Sequence, residues 1–392
     1  MFSLAAKVYL DDETGGRRRH MKSLYEYYSE HEETYYGITY KVENLFTDEI
    51  KTSTTECQEF LHKHYIQGQK KELLNIDFFC EYKKYGKHVH SASLYLSGKA
   101  LMPLFKKHIE DKLKEFVPNY AEWCASEIDF LYIWYLPSIY HDFASCIETE
   151  TIRENDSEQH RMLKFWLGKH DIQYSPYAAF PHKKNKIPFR FPPKLIEKYF
   201  YYRACNEQCE HGILAGYMFF DRFVKNFLMN VEKRLDDNGS VIYNELKWDI
   251  GHLTYAAYVA DAIICHNIWL GGKAEEDTYR QYGLIPLLYT EHTESKLSIE
   301  EYPLQFMLCL LDTIEPTKRF MDSLSPHKIL NKIKMEYGSG WLSISWDDEI
   351  AQQREFFKWH DGIVNMKEWM CVDVKTGENS VTITFESKMC RS

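Results

Sequence analysis

His141 and Asp142 stand side by side inside an almost wholly apolar and aromatic stretch, FLYIWYLPSIYHDFASCIE, from Phe130 to Glu148. By length and pattern the stretch reads as a buried helix. A carboxylate in such surroundings is costly unless it is paired or bound to a metal. Neighbouring residues on a helix project about 100° apart, so His141 and Asp142 can both face one cation lying beside it. An isolated HD dipeptide equally describes a solvated helix end. Three more apolar stretches carry an ionisable group where the pattern wants a hydrophobe: His211 in EHGILAGYMFF, His266 in AIICHNIW and Asp312 in FMLCLLD. A fifth group, His90 or His88, opens HVHSASLYLSG. Each histidine alone reads as hydrogen-bonded core, whereas a buried Asp without a partner is rare. A shared cation would account for all five at once, because it compensates carboxylates and takes neutral imidazoles as ligands.

These groups need helices to hold them, and the chain supplies helical patterns in order. Residues 1–84 read as a helical extension. It contains a basic loop, GGRRRH, and a helix start near Ser53–His64. HVHSASLYLSGKALMPLFKKHIEDKLKEFV has helical spacing broken near Gly98 and Pro103. The segment TETIRENDSEQHRMLKFWLGKH is a polar opening to an amphipathic helix. The Pro-rich, basic segment Tyr174–Lys194 cannot be one helix, and it reads equally as a binding loop or a surface excursion. Ala204–Leu235 reads as one helix, with Glu210-His211 near its start and with Gly212 and Gly216 allowing close packing; a turn follows at DDNG. His252–Leu270 and Leu297–Phe320 are two more, the second closed by Pro316. Beyond about residue 330 the period changes to two in KMEYGSGWLSISW and MCVDVKTGENSVTITFES, which predicts strands with a turn at Lys375–Asn379. The expected architecture is mostly α: residues 1–84 a helical extension, 85–325 the helical site domain, and 326–392 a small α/β element with a hairpin.

Composition narrows the function classes. The chain has 392 residues, 44% of them hydrophobic, so it can bury a sizeable core. A formal net charge of −10 disfavours broad nucleic-acid or anionic-membrane binding. No uncharged apolar run is long enough to cross a membrane, and MFSLAAKVYLDDETGG has no secretory pattern. The ten cysteines form no CxxC pair, and several lie in apolar runs. Free thiols in a reducing cytoplasm are therefore expected.

In the order and wording of these motifs, the chain resembles the HD-domain superfamily of metal-dependent phosphohydrolases. That family's order is H…HD…D, and its dinuclear branch adds two histidines between HD and the last Asp. His90, His141-Asp142, His211, His266 and Asp312 occur in that order. HVHSASLYLSG resembles the family's first-His helix, FLYIWYLPSIYHD its HD helix, EHGILAGYMF its "HG" helix, AIICHNIW its "HN" motif and LQFMLCLLDTIEPTKR its final Asp helix. The likeness covers roughly residues 85–320. Two features depart from it. Ala144 stands where the family commonly has Gly, and His88 and His108 compete with His90 as first ligand.

The resemblance implies an HD-type helical bundle and a centre of two divalent transition-metal ions, Mn, Fe, Ni, Co or Zn rather than Mg alone. His90, His141, Asp142 and Asp312 would hold the first ion. Asp142 would bridge to a second, held also by His211 and His266. Water activated between the ions would attack phosphorus, so Asp142 and Glu210 are the catalytic candidates. Glu210 and Asn267, beside ligand histidines, are candidates for orienting imidazoles or water. Arg203, Arg319, Lys183, Lys184, Lys186 and Arg190 are the cationic candidates for a substrate phosphate. The expected function is hydrolysis of a phosphate ester or anhydride, most readily a nucleotide. The alternatives are a metal- or nucleotide-sensing regulatory module without turnover, and a plain helical interaction protein.

Overall fold

The computed structural model describes residues 21–35, 38–67, 87–117, 130–146, 162–180, 187–206, 210–231, 241–243, 246–248, 250–288 and 296–385. The protein is mostly helical, with one five-stranded antiparallel sheet built chiefly from its C-terminal part. Among the described residues no helix is long and apolar enough to cross a membrane. GGRRRH and DDNG lie outside the described residues, as do Lys183, Lys184 and Lys186.

Five helices frame the centre: α1 (Lys87–Ala100), α2 (Phe130–Tyr140), α3 (His211–Val231), α4 (Ile250–Cys265) and α5 (Pro303–Ile314). Helix α1 is buried from His88 to Ala100, and it packs against α2, α5 and the N-terminal helix Ile50–Gln67. It ends at the expected break, and Met102–Phe116 continues as a separate helix with Pro103 in its first turn. Gly98 lets α2 come close: a Cβ there would meet the Trp134 ring at 2.0 Å, where the indole N–H donates to Tyr95 O at 3.1 Å. Helices α3 and α4 lie along one another for the same reason, since a Cβ on Gly216 would stand 2.7 Å from Ala260 O.

Several boundaries differ from the sequence reading. Helix α2 stops at Tyr140, so His141 and Asp142 occupy the turn after it, followed by a 3-10 turn at Phe143–Cys146. The Pro137 carbonyl accepts from His141 N–H, in a last helical bond, and also from His141 Nδ1, each at 3.1 Å. Ala204–Leu235 is not one helix. Pro193–Cys205 ends first, and α3 starts afresh at His211. Helix α4 ends at Cys265, leaving His266 just beyond it. His90, His211 and Asp312 do lie within α1, α3 and α5, and Glu315-Pro316 close α5 as expected.

The sheet runs β1 (Lys22–Ser23), β2 (Ile333–Gly338), β3 (Trp341–Trp346), β5 (Ser380–Phe385), β4 (Val372–Thr376), all antiparallel. The N-terminal part is therefore not purely helical. It also contains a two-stranded ribbon, Glu33–Tyr35 with Ile38–Tyr40, and it lends an edge strand to the C-terminal sheet. Buried Leu342, Ile344 and Trp346 alternate along β3, as a half-buried strand requires. Between β3 and β4 the helix Phe356–Trp369 turns Trp359, Ile363 and Met366 inward. The Trp359 indole donates to Ile314 O at 3.2 Å, which ties the end of α5 to this element. The expectation of free cysteines needs one correction: Cys57, Cys265 and Cys309 are free and buried, but Cys371 is disulfide-bonded.

Candidate metal centre

The helices bring six candidate ligand residues into two adjoining groups. His90, His141 and Asp312 form one, and Asp142, His211 and His266 the other; within each group one ligand atom per residue lies within 4.8 Å of the rest. Ligand atoms about 2.0–2.3 Å from a common ion fall within such separations. His90 Nε2 is 3.2 Å from His141 Nε2 and 3.1 Å from Asp312 Oδ1, and His141 Nε2 is 3.4 Å from the same oxygen. Asp142 faces both groups. Its Oδ1 lies 3.1 Å from His211 Nε2, while its Oδ2 lies 3.7 Å from His141 Nε2 and 3.9 Å from His90 Nε2.

The outer nitrogens fix how three imidazoles are protonated. His141 Nδ1 donates to Pro137 O at 3.1 Å, and His266 Nδ1 to Ile263 O at 2.7 Å. A carbonyl can only accept, so these nitrogens carry the proton and leave Nε2 as a lone pair. His90 Nδ1 lies 2.7 Å from Glu315 Oε2, again an acceptor. With His90 neutral, two Nε2 lone pairs and a carboxylate oxygen converge within 3.4 Å. A cation is the group that such a donor set fits.

The electrostatics agree. Burial opposes ionisation of Asp142 and Asp312, yet Lys318 and the histidines outweigh it and hold both carboxyls well below their usual range. Burial lowers His141, and burial with the neighbouring His141 and His211 pushes His266 down to about 3. His90 goes the other way: burial lowers it, but the bonds to Asp312 and Glu315 prevail and raise it. At neutral pH the centre therefore offers anionic carboxylates and mostly neutral imidazoles, the forms that bind metal.

Exposure is uneven, and His211 keeps 13% of its side-chain surface. His90, His141 and Asp142 are sealed, while Asp312 keeps 19% of its side-chain surface exposed, Lys318 22% and Lys87 20%. Lys87 Nζ contacts Asp142 Oδ2 at 2.5 Å. Lys318 Nζ lies 2.9 Å from Asp312 Oδ1 and 3.5 Å from Asp142 Oδ2. Two ammonium groups thus line the open rim.

All six expected ligands converge, and the choice among first histidines falls on His90. His88 is buried but belongs to neither group, and His108 is exposed on Met102–Phe116. Glu210 does not touch a ligand atom in any contact of the centre. It accepts from Asn267 Nδ2 at 2.8 Å and from Gly212 N–H at 3.3 Å, and Arg203 Nε stands 3.3 Å from its other oxygen. Burial raises its pKa against the pull of His211 and Arg203. Glu210 and Asn267 each adjoin a ligand histidine, so their bond ties the His211 and His266 segments together. Arg203 is engaged there rather than on the rim. The Arg190 guanidinium covers Phe191 and approaches Tyr302, at the far end of α5, about 15 Å along the helix from Asp312. The rim cation of the EPTKR segment is Lys318, one residue before Arg319. Lys87, Lys318 and Glu315 escaped the sequence reading. The usable signal was a carboxylate three residues after Asp312, on nearly the same helix face.

No protein-family model, curated protein or solved structure matches this chain.

Proposed function

We propose that this protein is a metal-dependent hydrolase of phosphate esters or anhydrides, acting on a nucleotide or a related small phosphorylated compound. The observation that carries the proposal is the pair of ligand triads facing one carboxylate, Asp142, with three imidazoles held by their outer nitrogens so that Nε2 points inward. The HD-superfamily resemblance noted in the sequence rests on the same six residues in the same order. His90, His141 and Asp312 would hold one divalent cation, and His211 and His266 a second, with Asp142 between them. Such a pair, when bound, lowers the pKa of water and neutralises charge developing on phosphoryl oxygens. The chain's own contribution is positional. Glu315, Pro137 O and Ile263 O fix the imidazoles, the sealed inner side excludes bulk water, and Lys87 and Lys318 offer donors to a phosphate entering at the rim.

A second reading has its own support. The Lys318 ammonium lies between Asp142 and Asp312 and itself offsets their charge, as a centre without metal would require. That reading is a regulatory module that binds a phosphorylated ligand. The test is to strip the purified protein with chelator, reload it separately with Mn2+, Fe2+, Co2+, Ni2+ and Zn2+, and measure bound metal and the hydrolysis products of nucleoside mono-, di- and triphosphates and of a nucleotide phosphodiester. Two bound ions with hydrolysis abolished by Asp142→Asn supports the enzyme. Stoichiometric phosphate-ligand binding without metal or turnover supports the regulatory module. Neither metal nor ligand binding overturns both.

A further inference from the structure

The helix Leu24–Glu30 reaches the centre through hydrogen bonds that the ligand set does not include. Its start is fixed by a capping box between Ser23 and Glu26, and it carries Tyr28 fully buried against α1. Tyr28 Oη lies 3.0 Å from Ser93 Oγ and 2.6 Å from Ser97 Oγ. Ser93 Oγ donates to Glu315 Oε1 at 2.6 Å, and Glu315 Oε2 takes His90 Nδ1 at 2.7 Å.

Counting protons gives this chain a direction. Glu315 can only accept while ionised, so the single Ser93 hydroxyl proton goes to it. The phenol must then donate to Ser93, and Ser97 must donate to the phenol. The backbone N–H groups of Thr317 and Lys318 complete the carboxylate's bonds, at 2.9 and 3.2 Å. His90 and Ser93 are three residues apart on α1, so one helix face grips both oxygens of Glu315. A buried helical serine has a competing choice, since its hydroxyl can turn back to a carbonyl one turn earlier. The Tyr28 hydroxyl holds Ser93 away from that choice.

We infer that Tyr28 is a positioning residue for the metal centre, acting through Ser93 and Glu315 on His90; this rests on the metal-centre reading proposed above. The N-terminal segment is then part of the centre's support rather than an appendage. Its effect is selective, because the hydrogen-bond chain ends on His90, in the group of His141 and Asp312, and reaches neither His211 nor His266.

The test uses the full chain, stripped and titrated with Co2+, read by calorimetry and by the visible absorption of bound cobalt. Losing a direct outer partner of a ligand histidine typically weakens metal binding about 10–100-fold, and Tyr28 lies two steps further out. Tyr28→Phe is therefore expected to weaken one Co2+ about 3–10-fold and alter its absorption, leaving the other ion as before. Ser93→Ala should affect the same ion more strongly, and it serves as the test if Tyr28→Phe does not fold. Ser97→Ala lies upstream of Tyr28, and it should lower thermal stability while leaving both affinities unchanged. Lowered stability with both Co2+ affinities intact in Tyr28→Phe and Ser93→Ala would overturn the inference. An unsubstituted chain that takes up no Co2+ would instead overturn the parent reading.

Discussion

Gly212→Ala is the sharpest probe of the second ligand group, because one methyl group separates two outcomes. A Cβ at Gly212 would lie 2.8 Å from His266 Cε1, 2.9 Å from its Nδ1 and 3.3 Å from Ile263 O. Ordinary contact begins at 3.4 Å, so the ring must shift by about 0.6 Å. It has little freedom, since Nδ1 is anchored to Ile263 O at 2.7 Å. Retreat of α3 would open its close packing against α4 at Gly216, which is costly in a dense interior. Overpacking of this kind costs about 1–3 kcal/mol. Replacing glycine in a helix returns up to about 1 kcal/mol, so the fold should survive. Ligand positions tolerate only about 0.2 Å, so the ion held by Asp142, His211 and His266 should weaken at least about tenfold. The His90 group should keep its affinity. The assay is calorimetric titration of the stripped protein with Co2+ or Mn2+, alongside a thermal melt. A folded Gly212→Ala protein that binds two ions as tightly as the unsubstituted chain would refute the placement of His266 as a ligand.

Asp142→Asn removes the group common to both triads and leaves Lys87 and Lys318 facing a neutral amide. Bound metal should fall for both positions together, and retention of two ions would rule out the bridging role. Lys87→Met combined with Lys318→Met should raise KM for a phosphorylated substrate at least about tenfold with metal content unchanged. An unchanged KM would restrict both lysines to offsetting carboxylate charge. Away from the centre, Asp261 is buried under Tyr177 Oη at 2.8 Å and Arg190 N–H at 3.1 Å, and burial lifts its carboxyl to about 6. Its folded pKa is raised, so the native state holds the proton longer and stability falls as pH rises from about 4 to 6. The penalty, about 3 kcal/mol, is fully present above that window. Denaturant unfolding of Asp261→Asn should lose this part of the pH dependence, and parallel curves for the two proteins would contradict it.

The ligand types and their order were legible in the sequence because each breaks an apolar period. An Asp in FMLCLLD or an HD pair after FLYIWYLPSIY conflicts with its neighbours, and that conflict shows without any coordinates. The C-terminal strands were legible for a related reason, since period-two alternation in WLSISW and VTITF has no helical counterpart. Helix ends were not. The apolar runs continue past Tyr140 and Cys265, and only the backbone shows that His141, Asp142 and His266 sit in the turns beyond, with Nδ1 bonded to a helix-end carbonyl in both histidines.

Charge partners were the least legible. A sequence displays that Lys87, Lys318, Arg319, Arg190 and Arg203 are basic, but not where a long flexible side chain delivers its charge. Tertiary packing put Lys318 on Asp312, Arg203 on Glu210 and Arg190 over Phe191. The sequence by itself determined which groups need a partner, because desolvating a carboxylate or imidazole is a local cost that each apolar segment states alone. Only the tertiary structure decided that they share one centre, which histidine enters first and which lysines guard the rim. Those are distances between segments hundreds of residues apart, such as His90 and Glu315, and they are set by helix packing rather than by any neighbouring residue.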